Sequence, residues 1–256
     1  MPKVPMPQVI LNGKNEAEKV ALFLEDSEKL LGKSLLIIQC DGRIEESTYV
    51  RLKREMGERL GVMVTESFAK EKEELKETLA DANNDETIDG ILIQLPILGA
   101  TKEETEQILY SINPEKDIDG LNPKSRFIPA VVRAVERVME IFNIDEDRSV
   151  AVVGALGEVG KRLMERLTKL GYSVKGLDKE DDLKELTKVD VIIGSTGVEG
   201  LIQGEMVGKG FVGIDLGYPK GDFSAEAIEK ALMITPVPGG VGPLTVVCLY
   251  ENLAEV

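Results

Sequence analysis

Short apolar runs alternate with charged segments of helical spacing along almost the whole of this chain. No other feature restricts its fold as much. Strands joined by helix-length connections run parallel, and a parallel sheet needs helices over its faces. Residues 35–40, 61–69 and 88–95 read as strand-bearing runs, with helices over 45–60, 70–82 and 101–110. Thr101 with Glu104 three residues on has capping-box spacing, which marks the start of the last of these helices. A second series follows a helix over 127–142. Its strands fall at 149–153, 173–177, 190–193 and 211–215, with helices at 158–170 and near 182–186. A Pro/Asp/Gly-rich stretch at 113–123 separates the series and reads as a hinge. The expected fold is α/β: two βα domains with a cleft between them. Residues 1–120, joined by a C-terminal helix over 244–256, form the first, and residues 121–243 the second.

Composition narrows the chemistry. The 256 residues suffice for two ordinary cores, and with aromatics at 4% and no Trp those cores are aliphatic. There is no histidine, so Ser-His-Asp and Cys-His catalysis and most zinc sites are excluded. Any general base must be Lys, Asp, Glu, Tyr or Cys. Cys40 and Cys248 sit in apolar runs without metal-ligand spacing and read as buried thiols, so no metal is expected. A net charge of −15 argues against nonspecific nucleic-acid binding and an anionic membrane surface. No run reaches transmembrane length, and a cytoplasmic location is expected.

Ser149-Val-Ala-Val-Val-Gly154-Ala-Leu-Gly157-Glu-Val-Gly160 runs an apolar strand into a glycine turn and then a helix. Glycines let the backbone approach a pyrophosphate, and the first helical N–H groups face it. The spacing is G-x-x-G-x-x-G, so context carries the reading. Asp178 ends the next strand, where a carboxylate accepts bonds from ribose hydroxyls and repels a 2′-phosphate. NAD is therefore expected ahead of NADP. Ser195, Thr196 and Gly197 follow the strand at 190–193 and are placed to line the nicotinamide side.

Tyr49 and Lys53 are four residues apart on an expected helix and share a face. A stacking ring beside a partly desolvated amine suits a planar substrate and proton transfer. An ordinary solvated helix carries the same spacing. Gln94 ends an all-apolar strand, at the ligand edge of a parallel sheet, and Asp119 lies in the expected hinge.

Tyr49-Val-Arg-Leu-Lys53, Ile93-Gln-Leu-Pro96, Pro114-Glu-Lys-Asp-Ile-Asp-Gly120 and Thr235-Pro-Val-Pro-Gly-Gly-Val-Gly-Pro-Leu-Thr245 resemble, in order and spacing, the methylenetetrahydrofolate dehydrogenase/cyclohydrolase family. The resemblance covers nearly the whole chain. It implies a folate-binding catalytic domain and a Rossmann-type NAD(P)-binding domain in a homodimer. The chain would oxidise 5,10-methylenetetrahydrofolate and hydrolyse the methenyl product to 10-formyltetrahydrofolate. Lys53 would transfer the proton of the hydrolytic step, Gln94 would hold Lys53, Tyr49 would stack on the folate and Asp119 would anchor the pterin. Leu95, Pro96, Pro238, Gly239, Gly240, Val241 and Gly242 would contact substrate. Gly154, Ala155, Leu156, Gly157, Gly160, Asp178, Ser195, Thr196, Gly197 and Ile234 would contact the dinucleotide. The sequence departs from the family where Gly154-Ala155-Leu156 replaces Gly-Arg-Ser and Leu177-Asp178 replaces a His-Ser type of pair, both away from NADP. It departs again at 121–129, where a longer loop with Cys-Thr-Pro is usual. A protein of the same fold with one activity, or a non-catalytic binding paralogue, is the alternative reading.

Overall fold

The computed structural model describes residues 8–42 and 47–256. In chain order the elements are β1 (Val9–Ile10), α1 (Gly13–Ser27), β2 (Ser34–Gln39), α2 (Thr48–Arg59), β3 (Met63–Phe68), α3 (Lys72–Asn84), β4 (Gly90–Gln94) and α4 (Lys102–Tyr110). They continue with α5 (Ala130–Ile141), β5 (Ser149–Val153), α6 (Glu158–Lys169), β6 (Ser173–Leu177), β7 (Val191–Gly194), β8 (Val212–Asp215), α7 (Ala225–Ile228), β9 (Met233–Ile234) and α8 (Val241–Leu253). Residues 45 and 46 of the helix expected over 45–60 lie outside the described residues.

The chain forms two compact units. One comprises Glu18–Ala130 with Val246–Val256 and holds a parallel three-stranded sheet, order β3-β2-β4. Central β2 is buried along Leu35, Leu36, Ile37 and Ile38, as a strand covered on both faces must be. Its core joins Leu75, Leu79 and Ala82 of α3 to Ile108 and Leu109 of α4. Thr101 caps α4, and Glu104 reaches back to the Thr101 backbone, as the sequence spacing implies. Thr101→Ala is expected to cost about 1 kcal/mol of unfolding free energy, measured by denaturant titration.

The other unit holds the segment ending at Ala17 and Val131–Thr245. Its six-stranded parallel sheet has the order β1-β9-β8-β7-β5-β6. The strands β5, β7 and β8 read as unbroken apolar runs because both faces are covered, with Ala151, Val153, Ile192 and Ile214 buried. Helix α1 and strands β1 and β9 have no counterpart in the sequence reading. Two residues are too short for a periodic signal, and α1 shows its apolar stripe only at Ala17, Val20, Ala21 and Leu24. In the stretch read as a hinge, Asp117 bridges Ile91 of β4, and the two units divide between Ala130 and Val131.

Candidate active site

The lysine site lies at the C-terminal ends of β2 and β4, where Gln39 and Gln94 are register partners. Helix α2 follows β2, its start capped by Ser47, whose side chain accepts from the Val50 N–H. The Ser47 N–H in turn donates to buried Gln39 Oε1 at 3.2 Å. One face of α2 packs inward and carries Val50, Lys53 and Gly57. Lys53 is 7% exposed, and its Nζ donates to Gln94 Oε1 at 2.9 Å. Gln94 Nε2 donates to the Leu95 carbonyl at 2.9 Å, which turns the amide oxygen toward the amine. Leu95–Pro96 is a cis peptide, and Pro96 is exposed beside this pair. Burial holds the Lys53 pKa below the ordinary lysine value, and the Asp119 carboxylate partly opposes that shift. Such an amine gives up its proton more readily than an exposed lysine, which suits it to proton transfer. Tyr49 and Asp119 are each half-buried.

Asp119 is placed by buried backbone contacts. Asn252 Nδ2 of α8 donates to the Ile118 carbonyl at 2.7 Å and the Ile128 carbonyl at 2.9 Å. Gly120 has φ +66°, and a Cβ there would meet the Phe127 carbonyl oxygen at 2.8 Å. The structure thus brings Tyr49, Lys53, Gln94, Leu95, Pro96 and Asp119 into one unit. Gln39, Tyr250 and Asn252 are not among the candidate residues named from sequence. Their signal is a polar group inside an otherwise apolar run, which must find a hydrogen-bond partner once buried.

In the six-stranded unit, β5 runs into a turn whose Gly154 and Ala155 N–H groups donate to the Leu177 carbonyl at 2.8 and 3.2 Å. Gly154 has φ +90°. A Cβ at Gly160 would lie 2.1 Å from the Gly154 carbonyl oxygen. Gly157 is the N-cap of α6 and provides no side-chain cap, so the first helical N–H groups meet no cap side chain. Asp178 Oδ2 accepts from the Leu156 N–H at 2.9 Å, which fixes the carboxylate beside the turn. A turn with glycines at 154, 157 and 160, a helix start and an adjoining carboxylate fit the pyrophosphate and ribose of a dinucleotide.

Ser195 Oγ, just past β7, donates to the Val153 carbonyl at 3.0 Å. The Thr196 N–H donates to Asp222 Oδ2 at 2.6 Å, and Gly197 has φ +66°. Asp215 and Asp222 are buried beneath this loop and are absent from the sequence reading. Burial pushes the Asp215 carboxyl up, against three backbone N–H bonds that pull it down. In the Pro-Gly run, Thr235 Oγ1 accepts from the Asp215 N–H at 2.7 Å. Val237–Pro238 is cis and Gly239 has φ +101°. Pro238 is exposed, Gly239 and Gly242 are half-buried, and Gly240 and Val241 are buried. Ile234 is a core side chain at 3% exposure, and its carbonyl accepts from Leu11, so the structure does not bring it to the turn surface.

A glycine-turn dinucleotide fold and a desolvated lysine held by a glutamine define a nucleotide-dependent enzyme with a second, acid–base function. Comparison with known proteins agrees. Residues 11–119 match the tetrahydrofolate dehydrogenase/cyclohydrolase catalytic domain, and residues 129–256 match the NAD(P)-binding domain of the same family. The chain belongs to this family. The bifunctional protein FolD of Mycoplasmopsis synoviae is 36% identical over 274 residues, spanning 96% of this chain and 99% of that protein. The Trypanosoma brucei methylenetetrahydrofolate dehydrogenase-cyclohydrolase, solved with NADP and an inhibitor, superposes with a TM-score of 0.86 at 26% identity over 97% of each chain. The bifunctional enzyme from Thermoplasma acidophilum gives 0.83 at 30% identity over 96% of this chain and 97% of its own. The protein is a bifunctional dehydrogenase and cyclohydrolase of folate one-carbon metabolism that uses a nicotinamide dinucleotide.

Proposed function

We propose that the chain oxidises 5,10-methylenetetrahydrofolate to 5,10-methenyltetrahydrofolate and hydrolyses that product to 10-formyltetrahydrofolate, with Lys53 moving the proton of the second step. The buried Lys53 Nζ–Gln94 Oε1 bond carries this reading. When bound, the dinucleotide accepts the hydride lost by the folate methylene carbon. The chain's task in that step is orientation, because the folate nitrogen drives hydride departure. In hydrolysis, water adds to the methenyl carbon and the neutral Lys53 amine takes its proton. That proton passes to the folate N5 as the bond from the one-carbon unit to N5 breaks, and the added hydroxyl releases its own proton to solvent as it becomes the formyl carbonyl. Tyr49 stacks on the aminobenzoyl ring, Asp119 accepts from the pterin's amino-pyrimidine edge, and Leu95 and Pro96 border it. Pro238, Gly239, Gly240, Val241 and Gly242 add substrate contacts. The three-stranded unit is the folate-binding catalytic domain and the six-stranded unit the dinucleotide domain. The scheme assigns no step to a metal ion.

Purified protein given methylenetetrahydrofolate with NAD or NADP tests the reading. Reduced cofactor and formyl-folate are expected, and no reduction with either cofactor would remove the dehydrogenase.

NAD is the proposed cofactor. Gly154, Ala155, Leu156, Gly157 and Gly160 hold the pyrophosphate, Asp178 the ribose, and Ser195, Thr196 and Gly197 the nicotinamide side. No Arg stands at 155 or 156 to meet a 2′-phosphate. Asp178→Asn keeps an acceptor for the Leu156 N–H and removes the charge. It is expected to raise NADP use relative to NAD about tenfold, about 1.4 kcal/mol of transition-state preference. An unchanged ratio of kcat/KM values would contradict the carboxylate argument.

A cytoplasmic homodimer is proposed on the family resemblance, with sedimentation as the check on its size. Among the described residues no helix is long and apolar enough to cross a membrane.

A further inference from the structure

Tyr250 on α8 is among the largest fully buried side chains in the protein, at 0% exposure. Its neighbours on that helix, Val246, Val247, Cys248, Leu249 and Leu253, are also buried. A phenol in such a place costs free energy unless its hydroxyl is bonded. Its Oη donates to the backbone carbonyl of Lys53 at 2.5 Å. The Gly57 backbone lies against the same hydroxyl, close enough to work against the burial that raises the phenol pKa. Lys53 and Gly57 stand four apart on α2, so the hydroxyl sits on the helical bond between them. Only a glycine leaves room for it. A Cβ at Gly57 would lie 2.5 Å from Tyr250 Oη and 2.5 Å from Val64 Cγ2.

We propose that Tyr250 is a positioning residue for Lys53, acting through the backbone turn that carries the lysine. The amine reaches Gln94 at 2.9 Å along a side chain with four rotatable bonds. Its aim therefore depends on where α2 places the Lys53 Cα and how far the turn around it can flex. Gln94 fixes the far end of the side chain, and Tyr250 fixes the near end. Gly57 is the notch that admits the hydroxyl, which gives this glycine in an otherwise regular helix a reason. The phenol remains a donor, because burial raises its pKa above the ordinary tyrosine value and Glu58 adds to that rise. Among the described residues the charged group that acts on the amine is Asp119, on the turn after β4's bridge partner Asp117, while β4 itself presents the neutral Gln94.

The inference rests on Lys53 being the proton-transfer residue, so the test separates the two. Hydrolysis of methenyltetrahydrofolate is followed against pH in the full-length protein and three variants. Lys53→Met comes first. A parental rate there removes the role of Lys53 irrespective of Tyr250. With Lys53→Met inactive, Tyr250→Phe is expected to lower kcat about fivefold to tenfold, the worth of one hydrogen bond, with KM within about twofold. The rising limb of its pH profile moves to higher pH, because a looser turn admits water to the amine and relieves its desolvation. Gly57→Ala displaces the hydroxyl and is expected to move the profile the same way. The double variant Gly57→Ala/Tyr250→Phe is then no worse than the poorer single one, as for two changes to a single interaction. A parental kcat and profile in Tyr250→Phe overturns the proposal. So does a lowered melting temperature in Tyr250→Phe with an unmoved profile, which marks a purely structural bond. If Tyr250→Phe does not fold, Gly57→Ala decides, and a parental profile there overturns it.

Discussion

Replacing Lys53 by Met is expected to lower methenyl-folate hydrolysis by about 10²–10⁴-fold, the usual worth of a positioned general base. The same change is expected to stabilise the fold near neutral pH. Lys53 is buried, and desolvation sets its folded pKa below 10.5. Between that folded value and 10.5 the unfolded chain holds a proton that the folded protein lacks, so parental stability rises with pH across the window. Below the window the buried ammonium is a constant cost. Methionine fills similar volume and does not titrate. Its advantage in a thermal melt is therefore greatest at low pH and shrinks as the pH approaches 10.5. Parental hydrolysis rises with pH through the folded pKa, because the neutral amine is the base. A pH-independent difference in melting temperature between the two proteins would show that Lys53 is not desolvated in solution.

Gly160→Ala is the second large effect, and it falls on the other activity. The added Cβ would meet the Gly154 carbonyl oxygen at 2.1 Å, the Ala155 Cα at 2.8 Å and the Gly154 carbonyl carbon at 2.9 Å. All three are backbone atoms, so no side chain can swing away, and the turn itself must move. Overpacking of this kind costs about 1–3 kcal/mol. Spent on the bound geometry of the pyrophosphate, that is roughly 10–100-fold in dinucleotide affinity. Dehydrogenase activity is expected to fall accordingly, while hydrolysis, whose proposed proton-transfer pair Lys53 and Gln94 lies in the three-stranded unit, continues near the parental rate. Titration of NAD by fluorescence reads the affinity directly, and a dissociation constant equal to the parent's would show that the turn does not hold the cofactor.

Periodicity made most of the fold legible. Strands covered on both faces appear in sequence as unbroken apolar runs, and β5 falls on the expected residues; the edge strand β6, exposed along most of its length, also falls on its expected residues. The Thr101–Glu104 box was equally plain, because a cap is a local hydrogen-bond pattern with fixed spacing. Strands β1 and β9 were not legible, since two residues carry no period and their pairing joins distant parts of the chain. The stretch at 113–123 carries a local signal only. Pro, Asp and Gly mark a turn but not whether it is mobile, and here buried Asp117, Ile118 and Asn122 tie it to the core.

The chemical groups of the site divide in the same way. Tyr49, Lys53, Gln94, Asp119 and the three glycines at 154, 157 and 160 were named from residue type and spacing, because local geometry sets which face or strand end they occupy. The sequence by itself therefore determined the α/β class and the family, and it names the residues proposed to bear the chemistry. Tertiary structure alone decided the state of those residues. That Lys53 is buried, that Gln94 offers it an oxygen, and that Asp119 stands near enough to oppose its desolvation depend on residues far apart in the chain. Desolvation and hydrogen bonding arise from the packing of separate elements, and no spacing along a single helix encodes them. Tyr250, almost two hundred residues from the carbonyl it bonds, is the extreme case.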